Sequence, residues 1–346
     1  MSDIVKGVLG GAWGLIVGWF LPSALALGIF GALVLPNLKG LPLLGSVANA
    51  SATGQTTVLL VAAVVFGLVL SATQTPLYRV LEGYSGWPAR LRETRRCRHV
   101  DRRRKLETEI RKESASSGGA GALSVSGALT LERYLRYPAS DDQVAPTLLG
   151  SSIRRFEYYA QDRYQLDSQL LWYQLRAVVP DPMNKEVDNA RAGADFFVCL
   201  CYLSALLAFV SATTAIFRPG ALVQLLLTTL IGAASAIGCY WGAVLATDSW
   251  AAAVRAMVDL GRVPLAKSYG LVLPSTLQDE RDMWQTLGWL IAFPYAKEAA
   301  EAISRWRTKS AQAEGEAATG DANVPEHQSD TESAAASLDA EGAGST

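Results

Sequence analysis

Residues 196–217 read FFVCLCYLSALLAFVSATTAIF and residues 222–246 read LVQLLLTTLIGAASAIGCYWGAVLA, with only Arg218, Pro219, Gly220 and Ala221 between them. Neither run holds an Asp, Glu, Lys, Arg or His. A hydrocarbon core is crossed by about 20 apolar residues rising roughly 1.5 Å each, so the pair reads as a hairpin of two spans. Two further uncharged runs, Trp13 to Leu35 and Thr56 to Thr73, read as an earlier hairpin. The predicted fold class is therefore an all-α integral membrane protein, with four transmembrane helices plus cytoplasmic helices. Composition agrees, since 50% of residues are hydrophobic and only 18% charged. Ala24-Leu25-Ala26 imitates a leader cleavage site, but the apolar run continues to Leu35 and only Lys6 precedes it as a base. The first run is read as a retained span.

Orientation follows from the positive charge, because Lys and Arg close to a span resist translocation. The links inside the two hairpins hold only Lys39 and Arg218, whereas residues 90–112 hold eleven Lys and Arg against four Asp and Glu. That segment is placed in the cytoplasm, and four spans then put both termini there. Richness in Ala, Arg and Gly points to a bacterial plasma membrane. Asn49-Ala50-Ser51 is a formal glycosylation sequon to which no function is assigned.

These readings divide the chain. Residues 1–76 form a transmembrane hairpin, with Pro76 ending span two, and 77–113 a basic juxtamembrane helix. Residues 114–127, rich in Ser, Gly and Ala, read as a flexible linker, and 128–194 as a cytoplasmic helical insertion. The second hairpin covers 195–247, further cytoplasmic helices 248–310, and an acidic disordered tail 311–346. Leu273-Pro274-Ser275-Thr276 reads as a helix start, with Asp279 and Glu280 in the first turn where the dipole favours carboxylates.

Three groups of residues are candidate sites. Gly10, Gly14 and Gly18 recur every fourth position on span one, a spacing that lets helix backbones approach closely, within the bundle or in a homo-oligomer. Arg95, Arg96, Arg98, Arg102, Arg103, Arg104 and Lys105 follow span two, where anionic headgroups would attract them. The same charges also serve topogenesis. Glu157, Arg163, Tyr164 and Asp167 form a candidate polar cluster, with Asp167 read as the N-cap of a helix starting at Ser168.

Catalytic and metal chemistry have little to build on. His99 and His327 are the only histidines, and Cys97, Cys199, Cys201 and Cys239 show neither zinc nor disulfide spacing. No phosphate-binding glycine loop or nucleophile elbow occurs. No metal or cofactor is expected. Nucleic acid is not an expected partner, because no aromatic residues interleave the basic run. The uncharged spans argue against an ion-coupled transporter.

Pro146-Thr147, Leu149-Gly150, Glu157, Arg163-Tyr164, Asp167, Trp172 and Pro180, with Glu280, Arg281 and Trp284 after the last span, carry a resemblance. The chain resembles a family of uncharacterised bacterial four-span membrane proteins with a cytoplasmic helical insertion between spans two and three. The resemblance implies the topology and no activity. Three classes of function remain: a non-enzymatic membrane anchor or scaffold whose cytoplasmic helices bind a protein partner, an oligomeric pore or membrane-perturbing effector, and a membrane-embedded enzyme.

Overall fold

The computed structural model describes residues 13–39, 42–116 and 124–307. Gly10, residues 117–123 of the expected linker and the acidic tail lie outside the described residues, while the linker's ends, 114–116 and 125–127, belong to the flanking helices. Of the described residues 83% are helical and none lies in a strand. Four helices are long and apolar enough to cross a membrane. The first, α1 (Trp13–Leu33), contains a π-helical turn, Ile16–Phe20. Short α2 (Pro42–Ala48) leads to α3 (Ala52–Ala72), the second helix of span length.

Helix α3 begins four residues before the expected Thr56. The Ser51 hydroxyl accepts from the Gly54 N–H at 3.2 Å, capping the helix there. The Thr56 and Thr57 hydroxyls donate to the Ala52 and Thr53 carbonyls at 2.9 Å, so their polarity is absorbed within the helix. At the other end the backbone breaks at Thr73, and α4 (Gln74–Leu81) restarts with Pro76 in its first turn. Proline's missing N–H is harmless there, because first-turn N–H groups have no helical partner. Pro76 thus lies within α4 rather than ending span two.

Basic helix α5 (Ala89–Ser116) is followed by α6 (Val125–Tyr134), α7 (Leu148–Glu157), α8 (Tyr159–Tyr164) and α9 (Trp172–Val178). The other two helices of span length extend far beyond their apolar runs. Helix α10 covers Asp181–Phe217, and α11 covers Leu222–Ser268 with Pro264 inside it. Forty-seven residues make α11 about 70 Å long. A change from apolar to polar side chains moves the solvent boundary without breaking the backbone ladder, so the expected division at 247/248 is a change of surroundings within one helix. Helix α12 (Leu277–Ala292) and a helix over 297–307, α13, are the last elements of the described residues.

Helices α10 and α11 form the spine. At Gly232 an added Cβ would lie 3.1 Å from both the Ser204 carbonyl oxygen and the Ala208 Cβ, so only glycine permits this approach without a shift. One continuous core joins Val198, Ala243 and Val244 of the apolar segments to Leu149, Phe156 and Leu175 of α7 and α9, and to Met257, Met283 and Trp284. Helices α7, α9 and α12 are thereby packed onto direct extensions of α10 and α11.

Candidate functional site

Where α3 passes into α4, a crevice of about 230 Å³ opens between α4, α7, α10 and α11. Its polar groups include Gln74, Tyr78, Arg79, Glu82, Glu157 and Arg191. The break at Thr73 re-aims the chain so that Tyr78 points into the bundle, and its hydroxyl donates to Asp195 Oδ1 at 2.8 Å. Arg191, one turn before Asp195 on α10, lies with Nε 3.8 Å from Oδ2. Its guanidinium sits 5.8 Å from the Trp250 ring centroid and donates to Gln74 Oε1 at 3.4 Å. Asp195 is buried, and Gly18 makes room for it, since a Cβ at position 18 would lie 3.0 Å from the Asp195 Cβ.

On the outer wall Glu82 ends α4 and Glu157 ends α7. Gly150 brings these helices together, because a Cβ there would lie 2.7 Å from the Glu82 carbonyl oxygen. Burial pushes the Glu82 carboxyl up to about 7, the Glu157 charge adds to the rise, and Arg154 and Arg79 oppose it. Burial raises Glu157 as well, against the pull of Arg154. Two acids thus share a partly dry wall with arginines on either side, an arrangement whose charge changes near neutral pH.

A pH dependence follows. A carboxyl held above its ordinary value binds its proton more tightly when folded, so its stabilising contribution is complete below about 4.5 and is lost as pH rises through about 7. Glu82→Gln keeps a neutral side chain at every pH and should flatten the fall in melting temperature between pH 5 and pH 8, leaving the smaller part due to Glu157. An unchanged slope in purified Glu82→Gln would show that Glu82 does not titrate in this window.

The candidate polar cluster separates into three places. Glu157 faces the crevice. Tyr164 donates to Asp259 Oδ1 at 2.8 Å, Tyr159 donates to the same carboxylate at 2.9 Å, and Arg163 donates to the Tyr159 hydroxyl at 3.1 Å. Asp167 accepts from the Gln169 and Leu170 N–H groups at 3.0 Å, capping a turn, and the next helix starts at Trp172 rather than Ser168. Arg262 stacks 4.8 Å from the Tyr164 centroid and pairs with buried Glu280 at 2.6 Å, tying α8 to α12.

The basic run is divided too. Arg103 is 8% exposed and turned inward, donating to the Pro138 carbonyl at 3.0 Å, to the Ala139 carbonyl and to Asp141 at 2.7 Å. Arg104 pairs with the same carboxylate at 2.7 Å, and Arg96 pairs with Glu93 at 3.1 Å and reaches the Asp141 carbonyl. These three arginines are engaged within the fold, whereas Arg95, Arg98, Arg102 and Lys105 have no salt-bridge partner among the described residues. Of the glycine stripe, Gly18 packs on Asp195 and Gly14 has open space beside it.

Asp195, Tyr78, Arg191 and Glu82 were not among the candidate residues. One signal was available, because Arg191 and Asp195 are four apart immediately before the apolar run at Phe196. Among the described residues no group of three His, Cys, Asp or Glu converges to hold a metal, and His99 contacts the Tyr137 hydroxyl at 3.1 Å.

Fold and site together define a helical protein that has, among the described residues, four helices long and apolar enough to cross a membrane and a polar crevice beside their charged extensions. Comparison with protein-family models, curated proteins and solved structures returns no match.

Proposed function

We propose that the protein is a non-enzymatic anchor of the bacterial plasma membrane, with both termini in the cytoplasm and its cytoplasmic helices held ready for a protein partner. The observation that carries this reading is the continuity of α10 and α11, which leave the apolar segment without a break and share one core with α7, α9 and α12. A body packed on two such helices keeps a fixed height and orientation at the bilayer, as an anchor requires. The arginines of residues 90–112 then mark the cytoplasmic side.

The pore reading gains less from the geometry. The cavity between α1, α3 and α10, about 360 Å³, is lined by apolar side chains such as Phe30, Leu59, Phe66 and Leu203 and offers an ion no polar path. The test is conductance across planar bilayers containing the full chain, with subunit number from native mass spectrometry. Silent bilayers are expected. The native thiol Cys97, exposed while the other three are buried, should react with an impermeant maleimide in inverted vesicles and not in intact cells. Discrete channels from a defined oligomer would replace the anchor with a pore, and labelling of Cys97 in intact cells would reverse the topology.

A further inference from the structure

A second polar cavity, of about 270 Å³, lies between α5, α6, α7 and α11, and three arginines line it: Arg102, Arg133 and Arg136. Arg136 is already paired, with Asp248 at 2.7 Å and Glu132 at 2.6 Å, a cluster with one net negative charge. Arg102 on α5 and Arg133 on α6 have no carboxylate within ion-pair distance among the described residues. The remaining wall is apolar or aromatic, from Leu106, Tyr137, Leu148 and Trp241. Arg102 and Arg133 reach one cavity from different helices, so an anion bound there would accept from both forks.

We propose that this cavity binds the phosphate of an anionic phospholipid. Phosphate is the anion whose oxygens suit two guanidinium forks, and the surroundings select a lipid source over a soluble one. Trp241 is 48% exposed on α11, five residues before the end of its apolar run at Ala246, the level at which tryptophan meets headgroups. Below it, toward the N-terminus of α11, Ile237 and Leu230 are exposed at helical spacing and form an apolar track leading from the cavity along the span. A phosphate between Arg102 and Arg133 would leave its acyl chains on that track. The site rests on the membrane reading above, and it assigns to Arg102 a place in a built cavity instead of a general attraction of the basic helix.

The test uses the full chain in detergent micelles and native mass spectrometry, titrating phosphatidylglycerol or cardiolipin against phosphatidylcholine. The wild type should retain anionic lipid selectively, and the double variant Arg102→Ala/Arg133→Ala should bind it about tenfold or more weakly. Arg102→Lys/Arg133→Lys should recover part of the affinity. Arg90→Ala/Arg92→Ala, which removes two bases of the same helix outside the cavity, should leave binding unchanged. Equal losses from the two alanine pairs would overturn the site in favour of diffuse attraction. Displacement of the lipid by millimolar inorganic phosphate would assign the cavity to a soluble anion. Cys97 labelling reports topology separately, so correct labelling with no anionic selectivity sinks this proposal while leaving the anchor intact.

Discussion

Trp284→Ala should destabilise the protein by about 3–5 kcal/mol, the range for truncating a buried tryptophan. Trp284 is fully buried on α12 and packs into the core that joins α7, α9 and α11. Its Nε1 also donates to Glu280 Oε1 at 3.2 Å, and that carboxylate, only 4% exposed, pairs with Arg262 at 2.6 Å. Alanine therefore opens a cavity and removes one of two donors from a buried anion, and the two losses act at the same point. Denaturant unfolding of the purified protein measures the effect. Trp289→Ala provides the control, because Trp289 lies on the same helix at 56% exposure and its loss should stay within about 0.5 kcal/mol. Similar losses at both positions would mean that α12 is not docked through Trp284.

Arg103→Ala should release α5 from the segment around Tyr137 and Asp141, at a local cost of about 2–4 kcal/mol. Arg103 satisfies the Pro138 and Ala139 carbonyls and half of the Asp141 carboxylate, and lies 5.7 Å from the Tyr134 ring centroid. Under this contact lies a small core of Leu106, Tyr137 and Val144, too small to hold the helix alone. Amide hydrogen exchange should rise over residues 100–106 and 134–144 and stay slow around Met257 and Trp284. Arg103→Lys should not restore protection, since an ammonium group cannot reproduce the guanidinium fork. Arg102→Ala, one position earlier but outward, should leave exchange unaltered. Uniformly faster exchange in Arg103→Ala would instead mean that α5 and the main core unfold together.

The sequence carried much of this organisation in local form. Four uncharged runs of span length are legible because the bilayer constraint acts on consecutive residues. A cap is legible for the same reason: Thr276 accepts from the Asp279 N–H at 3.2 Å, whereas Asp167 caps a turn and the helix expected at Ser168 begins only at Trp172. The ends of α10 and α11 were not legible, because polarity reports the surroundings of a helix and not whether its hydrogen-bond ladder continues.

The crevice was legible only in pieces. Arg191 and Asp195 are a spaced pair on one helix, but Tyr78, which completes the contact, is 117 positions from Asp195. Glu82 and Glu157 each close a helix and meet only because Gly150 allows α7 against the end of α4. The basic helix shows the limit most clearly. Charges surround it, so no periodic apolar face announces which side docks, and Arg102 and Arg103 are equivalent until Asp141 draws one inward and a cavity wall takes the other.

By itself, then, the amino-acid sequence determined the helical class, the four apolar runs and the polarity of the chain between them, because hydration and backbone capping are decided within a few residues. Tertiary structure decided which ionisable groups share a crevice, which arginine is buried and which faces a cavity. Those outcomes depend on contacts between residues distant in the chain, where burial and opposing charge set the energy of each side chain, and local pattern has no access to them.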